Sequence, residues 1–201
     1  MEKNGKIRGT IRKLKTKNIP YYIFIIILGI ILSAPLFRGY IDGHDSIFHI
    51  TRTMGTSIAF QDGQFPPLVT WNFANGFGFS WNVFYPPLAN YIMIIIKVLG
   101  SFTYVQALNI LIILTIILSG IEMFLFVKDL TKSRKIALLA AVLYMTAPYH
   151  LIDIYIRSAL GEIMAFMFMP FVFRGMYSIY TKREKNNWML TLRSGRAIII
   201  P

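Results

Sequence analysis

IPYYIFIIILGIILSAPLF, residues 19–37, runs nineteen positions without a charged side chain. At about 1.5 Å of rise per residue, a helix of that length covers roughly 28 Å, close to the ~30 Å of hydrocarbon in a bilayer. Seven basic residues precede it: Lys3, Lys6, Arg8, Arg12, Lys13, Lys15 and Lys17. That layout also fits a cleaved secretory signal, but Ser33-Ala34-Pro35 is a poor small-residue cleavage site, so the run is read as an uncleaved anchor. The whole chain agrees. Its 201 residues are 55% hydrophobic and 15% charged, with mean hydropathy +0.55, which is a membrane composition. The net charge of +12 does not point to nucleic acid, because the basic residues lie between apolar runs rather than on one soluble face. With no cysteine, disulfides and thiolate metal sites are excluded, and the compartment gets no redox label.

Outward from this anchor, residues 98–121 are uncharged, residues 136–149 form a shorter apolar run, and residues 163–180 are interrupted only by Arg174. The expectation is an all-α membrane protein with four spans, about 19–37, 104–127, 136–149 and 163–180. LANYIMIIIKVLG, residues 88–100, follows Pro86-Pro87 and contains Lys97. Its helix covers only roughly 18 Å, so it is read as interfacial or re-entrant. Charge bias supports that choice. With four spans and a cytoplasmic start, the seven N-terminal basic residues, the four of KDLTKSRK and the five from TKREK to Arg196 all fall inside. Arg38, Arg52, Lys97 and Arg157 lie outside, and Arg174 is expected to snorkel from the fourth span. A fifth span over 88–100 would turn KDLTKSRK outward. The resulting domain plan is a basic cytoplasmic arm (1–18), a membrane module (19–181) and a cytoplasmic tail (182–201), with outer loops over 38–103 and 150–162.

The long loop opens with GYIDGHDSIFHITR, residues 39–52, which holds Asp42, His44, Asp45, His49 and Arg52 in a chain of nine acidic residues and three histidines. At about 100° per residue, Asp45, His49, Arg52 and Thr56 share one helical stripe, and Ile47, Ile50, Met54 and Ile58 share the opposite one. Asp45-Ser46 suits a helix start, with a carboxylate at the positive end of the dipole. This predicts an amphipathic helix whose apolar stripe lies in the interface and whose polar stripe faces a polar space. The short loop, PYHLIDIYIRSALGE, repeats the residue types: His150, Asp153 and Arg157 sit at i, i+3 and i+7, within an arc of about 60° on a helix. Either stripe alone reads equally as a surface ion pair or the wet face of an interfacial helix. Two on one side of the membrane point toward a site.

Carboxylates can act as general base or hold a hard cation such as Mg²⁺ or Mn²⁺, and arginines suit phosphate through bidentate hydrogen bonds. The set favours a phosphate-bearing substrate. Asn75, Gly76 and Gly78 in NGFGFS lack the strand-then-helix context of a dinucleotide fingerprint and read as a turn. Trp71, Trp81 and Tyr85 read as an interfacial aromatic belt.

The ordered series of basic arm, span, DSIFH with Arg52 behind it, DGQFP, GFGF, FYPPL and APYHLIDIYIRSALGE resembles the bacterial multispan proteins described as 6-pyruvoyl-tetrahydropterin synthase-related, over residues 20–192. Nothing in the chain resembles a soluble pterin enzyme. Those proteins look like members of the GT-C superfamily of membrane glycosyltransferases. The resemblance implies a bacterial plasma membrane, a polyprenyl-phosphate sugar as donor, an essential acidic residue at Asp45 acting as base or metal ligand, and a second interfacial helix at FYPPLANY. Extending these roles by chemistry assigns Asp42 beside Asp45, gives Arg52, Arg157 and His150 to the substrate, and makes His49 and Asp153 a supporting shell.

The chain departs from that pattern twice. Asp42-Gly-His-Asp45 is neither the D-x-D nor the adjacent D-E of several GT-C branches, and LRSGRAIIIP closes the chain after the fourth span, as a truncated N-terminal part would. Two other classes stay open. One is a noncatalytic membrane subunit or scaffold, which would tolerate loss of Asp45. The other, a lipid or solute carrier, would place polar groups at broken helices near the midplane, where these spans are nearly all apolar. Glu122, the one acidic residue inside a span region, is expected at the inner interface.

Overall fold

The computed structural model describes residues 18–181. The expected basic arm and the tail with its truncation signature lie outside the described residues. The elements in order are α1 (Ile19–Leu32), α2 (Ser46–Gln61), α3 (Trp81–Phe84), α4 (Leu88–Gly100), α5 (Tyr104–Thr131), α6 (Arg134–Met145), α7 (Pro148–Ile152) and α8 (Leu160–Tyr180). A 3₁₀ turn over Ala34–Arg38 follows α1, and a π turn over Asp153–Arg157 follows α7. Among the described residues the only β pairing is one antiparallel bridge, Thr70 to Phe79. The all-α expectation holds.

α5 is the axis of the molecule. Its start is fixed by a reciprocal cap in which Gln106 N–H donates to Thr103 Oγ1 (3.2 Å) and Thr103 N–H donates to Gln106 Oε1 (2.9 Å). Its 28 residues extend roughly 42 Å. α6 and α8 pack along it most extensively, α4 and α1 less so. With apolar side chains inside and outside alike, close approach depends on small residues. A Cβ on Gly29 of α1 would meet Ile117 Cγ1 of α5 at 2.6 Å, and one on Gly120 of α5 would meet Ile25 Cγ2 at 2.9 Å and crowd Met145. Gly120→Val is therefore expected to cost about 1–3 kcal/mol by overpacking, read as a lower melting temperature in detergent.

Two helices, α5 and α8, are long and apolar enough to cross a bilayer, and a third candidate appears if α6 and the segment Pro148–Arg157, bent by 42° at their break, count as one. α1 and α4 are shorter apolar helices. Helix lengths thus give two or three candidate spans where four were expected. Proline accounts for the shortfall. Pro35 disfavours α-helix at Ala34 and turns the end of the first apolar run into 3₁₀, while Pro148 forces Ala147 to extended backbone and stops α6 at Met145.

Several polar groups along the bundle find partners. Ser33 Oγ donates to Gly29 O at 2.7 Å, and Asn109 Nδ2 of α5 donates to Leu36 O (2.9 Å) and Gly39 O (2.8 Å), tying the 3₁₀ turn to the bundle. Tyr155 OH donates to Leu32 O. At the other end Arg134 Nε donates to Asn18 Oδ1 at 2.9 Å. Arg174, expected to snorkel alone, is paired: its Nε lies 2.7 Å from Asp129 Oδ2 and its Nη1 lies 3.9 Å from Glu122 Oε2. Glu122 therefore faces α8 rather than standing free at an interface.

Candidate functional site

α2 carries the two stripes its spacing predicts, but in an unexpected setting. Ile47 and Met54 are exposed, as a lipid-facing stripe should be, while Ser46, His49, Arg52, Thr53 and Thr56 are all buried. The polar stripe meets packed protein instead of an open polar space. α4 and the loop before it cover it, because Asn82, Pro86 and Asn90 offer the polar partners that such a stripe needs once it is desolvated.

Arg52 is the centre of this arrangement, at 1% exposure. Its Nη2 donates to Pro86 O at 2.6 Å. That carbonyl lies just outside the α4 ladder, whose first bond runs from Tyr91 N–H to Pro87 O. With the Asn90 amide turned so that its oxygen faces the guanidinium, Asn90 Oδ1 accepts from Arg52 Nε at 2.8 Å. The guanidinium carbon lies 4.4 Å from the centroid of the Tyr85 ring and 5.9 Å from that of Phe48. Below it Asn82 Nδ2 donates to Thr56 Oγ1 (2.9 Å) and to Pro67 O (2.7 Å). Among the described residues no carboxylate pairs with Arg52, and its Nη1 has no partner. Burial pushes its pKa down from the ordinary arginine value. An unneutralised, incompletely bonded guanidinium at this depth is costly, and a bound anion would satisfy both its charge and its free N–H groups.

His49 links this stripe to the second outer segment. Leu160 N–H points at His49 Nε2 at 3.4 Å, leaving Nδ1 as the buried nitrogen without a partner. Around it the two segments are joined by backbone bonds, His44 N–H to Ile156 O and Asp45 N–H to Arg157 O, each 3.0 Å. Ser46 Oγ donates to Ser158 Oγ at 2.7 Å. Gly43 is needed there, since a Cβ would come within 2.8 Å of Ser158 Cβ. Tyr85 adds a third tie, its hydroxyl 2.8 Å from where a Cβ on Gly161 would sit. The two polar segments noted in the sequence therefore meet.

Burial, followed by the adjacent Arg52 charge, pushes the His49 pKa down from 6.5 to about 4. The folded imidazole stays neutral where the unfolded one already takes a proton. Its contribution to stability is thus complete above about pH 6.5 and is lost as pH falls toward 4. At ~1.4 kcal/mol per pKa unit this reaches ~3 kcal/mol. The melting temperature is expected to fall across that window, and His49→Gln to flatten the fall.

The second segment is organised around Arg157. Its Nη1 lies 2.6 Å from Asp153 Oδ1 and 2.8 Å from Glu162 Oε2, and its Nη2 lies 2.5 Å from Glu162 Oε1. Tyr149 OH accepts from Nη1 at 2.9 Å and donates to Glu162 Oε2 at 2.5 Å. Asp153 is fully buried, with Oδ2 unpartnered. This guanidinium, unlike that of Arg52, already holds two carboxylates. His150 points elsewhere: it stacks on Phe166 with centroids 4.2 Å apart, and its Nδ1 lies 3.3 Å from Tyr144 O.

Asp42 and Asp45 are exposed in the turn that leads into α2, Asp45 at the capping position without a side-chain bond to the helix. Tyr40 OH lies 3.5 Å from Asp42 Oδ1. Among the described residues no three His, Cys, Asp or Glu side chains gather to hold a metal.

Asn82, Asn90 and Glu162 were not singled out by sequence reading. Asn82 sits in the short α3 and Asn90 in the first turn of α4, where neither repeats at a helical period, and Glu162 lies five residues from Arg157, across the break at Ser158 (φ 52°) between the π turn and α8.

Apolar helices under a buried, polar cap define an integral membrane protein of helical class. The chain belongs to the 6-pyruvoyl-tetrahydropterin synthase related domain family of membrane proteins, whose sequence pattern matches residues 83–199. An uncharacterized protein of Lactococcus lactis subsp. cremoris is 31% identical to it over 189 residues, covering 92% of this chain. The chain spans 31% of the length of that relative. No solved structure matches.

Proposed function

We propose that this protein is the first membrane module, residues 19–181, of a GT-C-type glycosyltransferase that takes a sugar from a polyprenyl-phosphate donor on the outer face of a bacterial plasma membrane. In this reading α1, α5, α6 and α8 act as four spans with both termini cytoplasmic. The observation that carries it is Arg52: a buried guanidinium with no carboxylate partner and an unpaired Nη1, one helix turn from the His49 junction and two from the exposed Asp45.

The chemistry follows from those positions. An acceptor hydroxyl attacks the anomeric carbon of the donor, its proton passes to the Asp45 carboxylate, and the bond from that carbon to the phosphate oxygen breaks. Arg52 binds the leaving polyprenyl phosphate, where negative charge grows. Asp42 and Asp45 would hold Mg²⁺ or Mn²⁺ against the same phosphate, which adds charge stabilisation. His49 is a neutral support beside Arg52. Arg157, already neutralised, orders the second segment and reaches the lipid phosphate only if Glu162 lets go.

Native mass spectrometry of protein extracted from its own membranes tests this directly, with a bound polyprenyl phosphate or its sugar conjugate as the expected result. One observation favours the noncatalytic subunit instead: the Arg157, Asp153, Glu162 and Tyr149 network is self-contained, as structural networks are. Absence of any such lipid would support that reading.

A further inference from the structure

A pocket opens at the opposite end of α2 from Asp45, its lining running from Gly55, one helix turn beyond Arg52, to Asp62, about 15 Å along the helix from Arg52. Its volume is 230 Å³, and Gly55, Ala59, Asp62, Gln64, Trp71 and Asn72 line it. We propose that this pocket binds one unphosphorylated sugar residue.

Four features of the pocket select that chemistry. Trp71 is 58% exposed at its rim, a rigid flat ring of the kind that packs against the C–H face of a pyranose. Asp62 and Asn72 make no side-chain hydrogen bond or ion pair among the described residues, so both are free to bind hydroxyls. Gln64 Oε1 is buried at the pocket without a donor, and a sugar hydroxyl would supply one. No lysine or arginine lines the pocket, so nothing there neutralises a phosphate or a nucleotide. In size it holds roughly eight waters, matching a single ring and falling below the ~300 Å³ lower range for drug-sized ligands.

The pocket is also a fixed shape. Thr70 and Phe79 exchange backbone bonds of 3.0 and 3.1 Å that pin the chain on either side of Trp71. Gly78, at φ +80°, lies under that chain, where a Cβ would meet Trp71 Cε3 at 3.0 Å. Gly55 lets the loop seat on α2, since a Cβ there would reach Phe73 Cε2 at 2.6 Å. This binding is separate from the lipid phosphate reading and does not need Arg52.

Saturation-transfer NMR of the full chain in nanodiscs, with glucose, galactose, mannose and N-acetylglucosamine as probes, tests the assignment. The expected result is transfer to the ring protons of at least one sugar, lost in Trp71→Ala and in Asp62→Asn. Asp62→Asn changes no packing, so loss there is not a folding defect. No transfer to any of the four sugars, or transfer unchanged in both pocket variants, overturns the proposal. Lipid retention by the same samples is read independently, so failure of either assignment is told from failure of the other.

Discussion

Arg52→Ala is expected to strip co-purifying polyprenyl phosphate from the protein and to weaken its rebinding by roughly 30- to 1,000-fold. Removing one partner of a buried, hydrogen-bonded charge pair costs ~2–4 kcal/mol, and Arg52 offers the lipid its only buried unpaired cation of the first loop. Loss of fold is the competing explanation, because Ala would also leave Pro86 O and the Asn90 amide without their donor. Arg52→Lys separates the two. It keeps charge and volume but loses the planar fork that lies over Tyr85, so it should melt near the parent temperature and bind the lipid with intermediate affinity. Equal lipid retention in parent and Ala proteins would remove the anion from this position.

Asp45→Asn is expected to lower sugar transfer by about 10²- to 10⁴-fold, the usual worth of a positioned general base. Stability should hardly change. The Asp45 carboxylate is exposed and caps nothing, and its two structural bonds use the backbone N–H and C=O, which Asn retains. Release of polyprenyl phosphate from a polyprenyl-phosphate hexose in isolated membranes measures the step without knowledge of the acceptor. A variant with unchanged release and unchanged melting would take Asp45 out of the chemistry and leave the membrane-subunit reading.

Periodicity made much of this legible. The stripes of α2 followed from spacing alone, and so did the shortness of α4, whose 13 residues cover only ~20 Å. Spacing cannot say what lies opposite a stripe. It placed His49, Arg52 and Thr56 on one face but gave no sign that Asn82 and Asn90 would close over them, since one asparagine in the short α3 and one in α4 form no repeating pattern. Likewise Asp153 and Arg157 pair at the ordinary i, i+4 distance, whereas Glu162 joins them through a π turn and a left-handed Ser158 that hydrophobic patterning does not encode. At Pro35 and Pro148 an apolar run continues but the helix does not, so α1 and α6 each end short of spanning length.

The bonds joining residues 44–49 to residues 156–160 also set an order of events during synthesis. His49 cannot meet Leu160, nor Ser46 meet Ser158, until more than a hundred further residues have left the ribosome, on the order of ten seconds later at ordinary elongation rates. Through that interval the loop after α1 waits with Ser46 and His49 lacking those partners. The cap over the bundle is therefore a late event in assembly, and a nascent chain arrested before Ser158 would carry every catalytic candidate of the first loop without the junction that orders them.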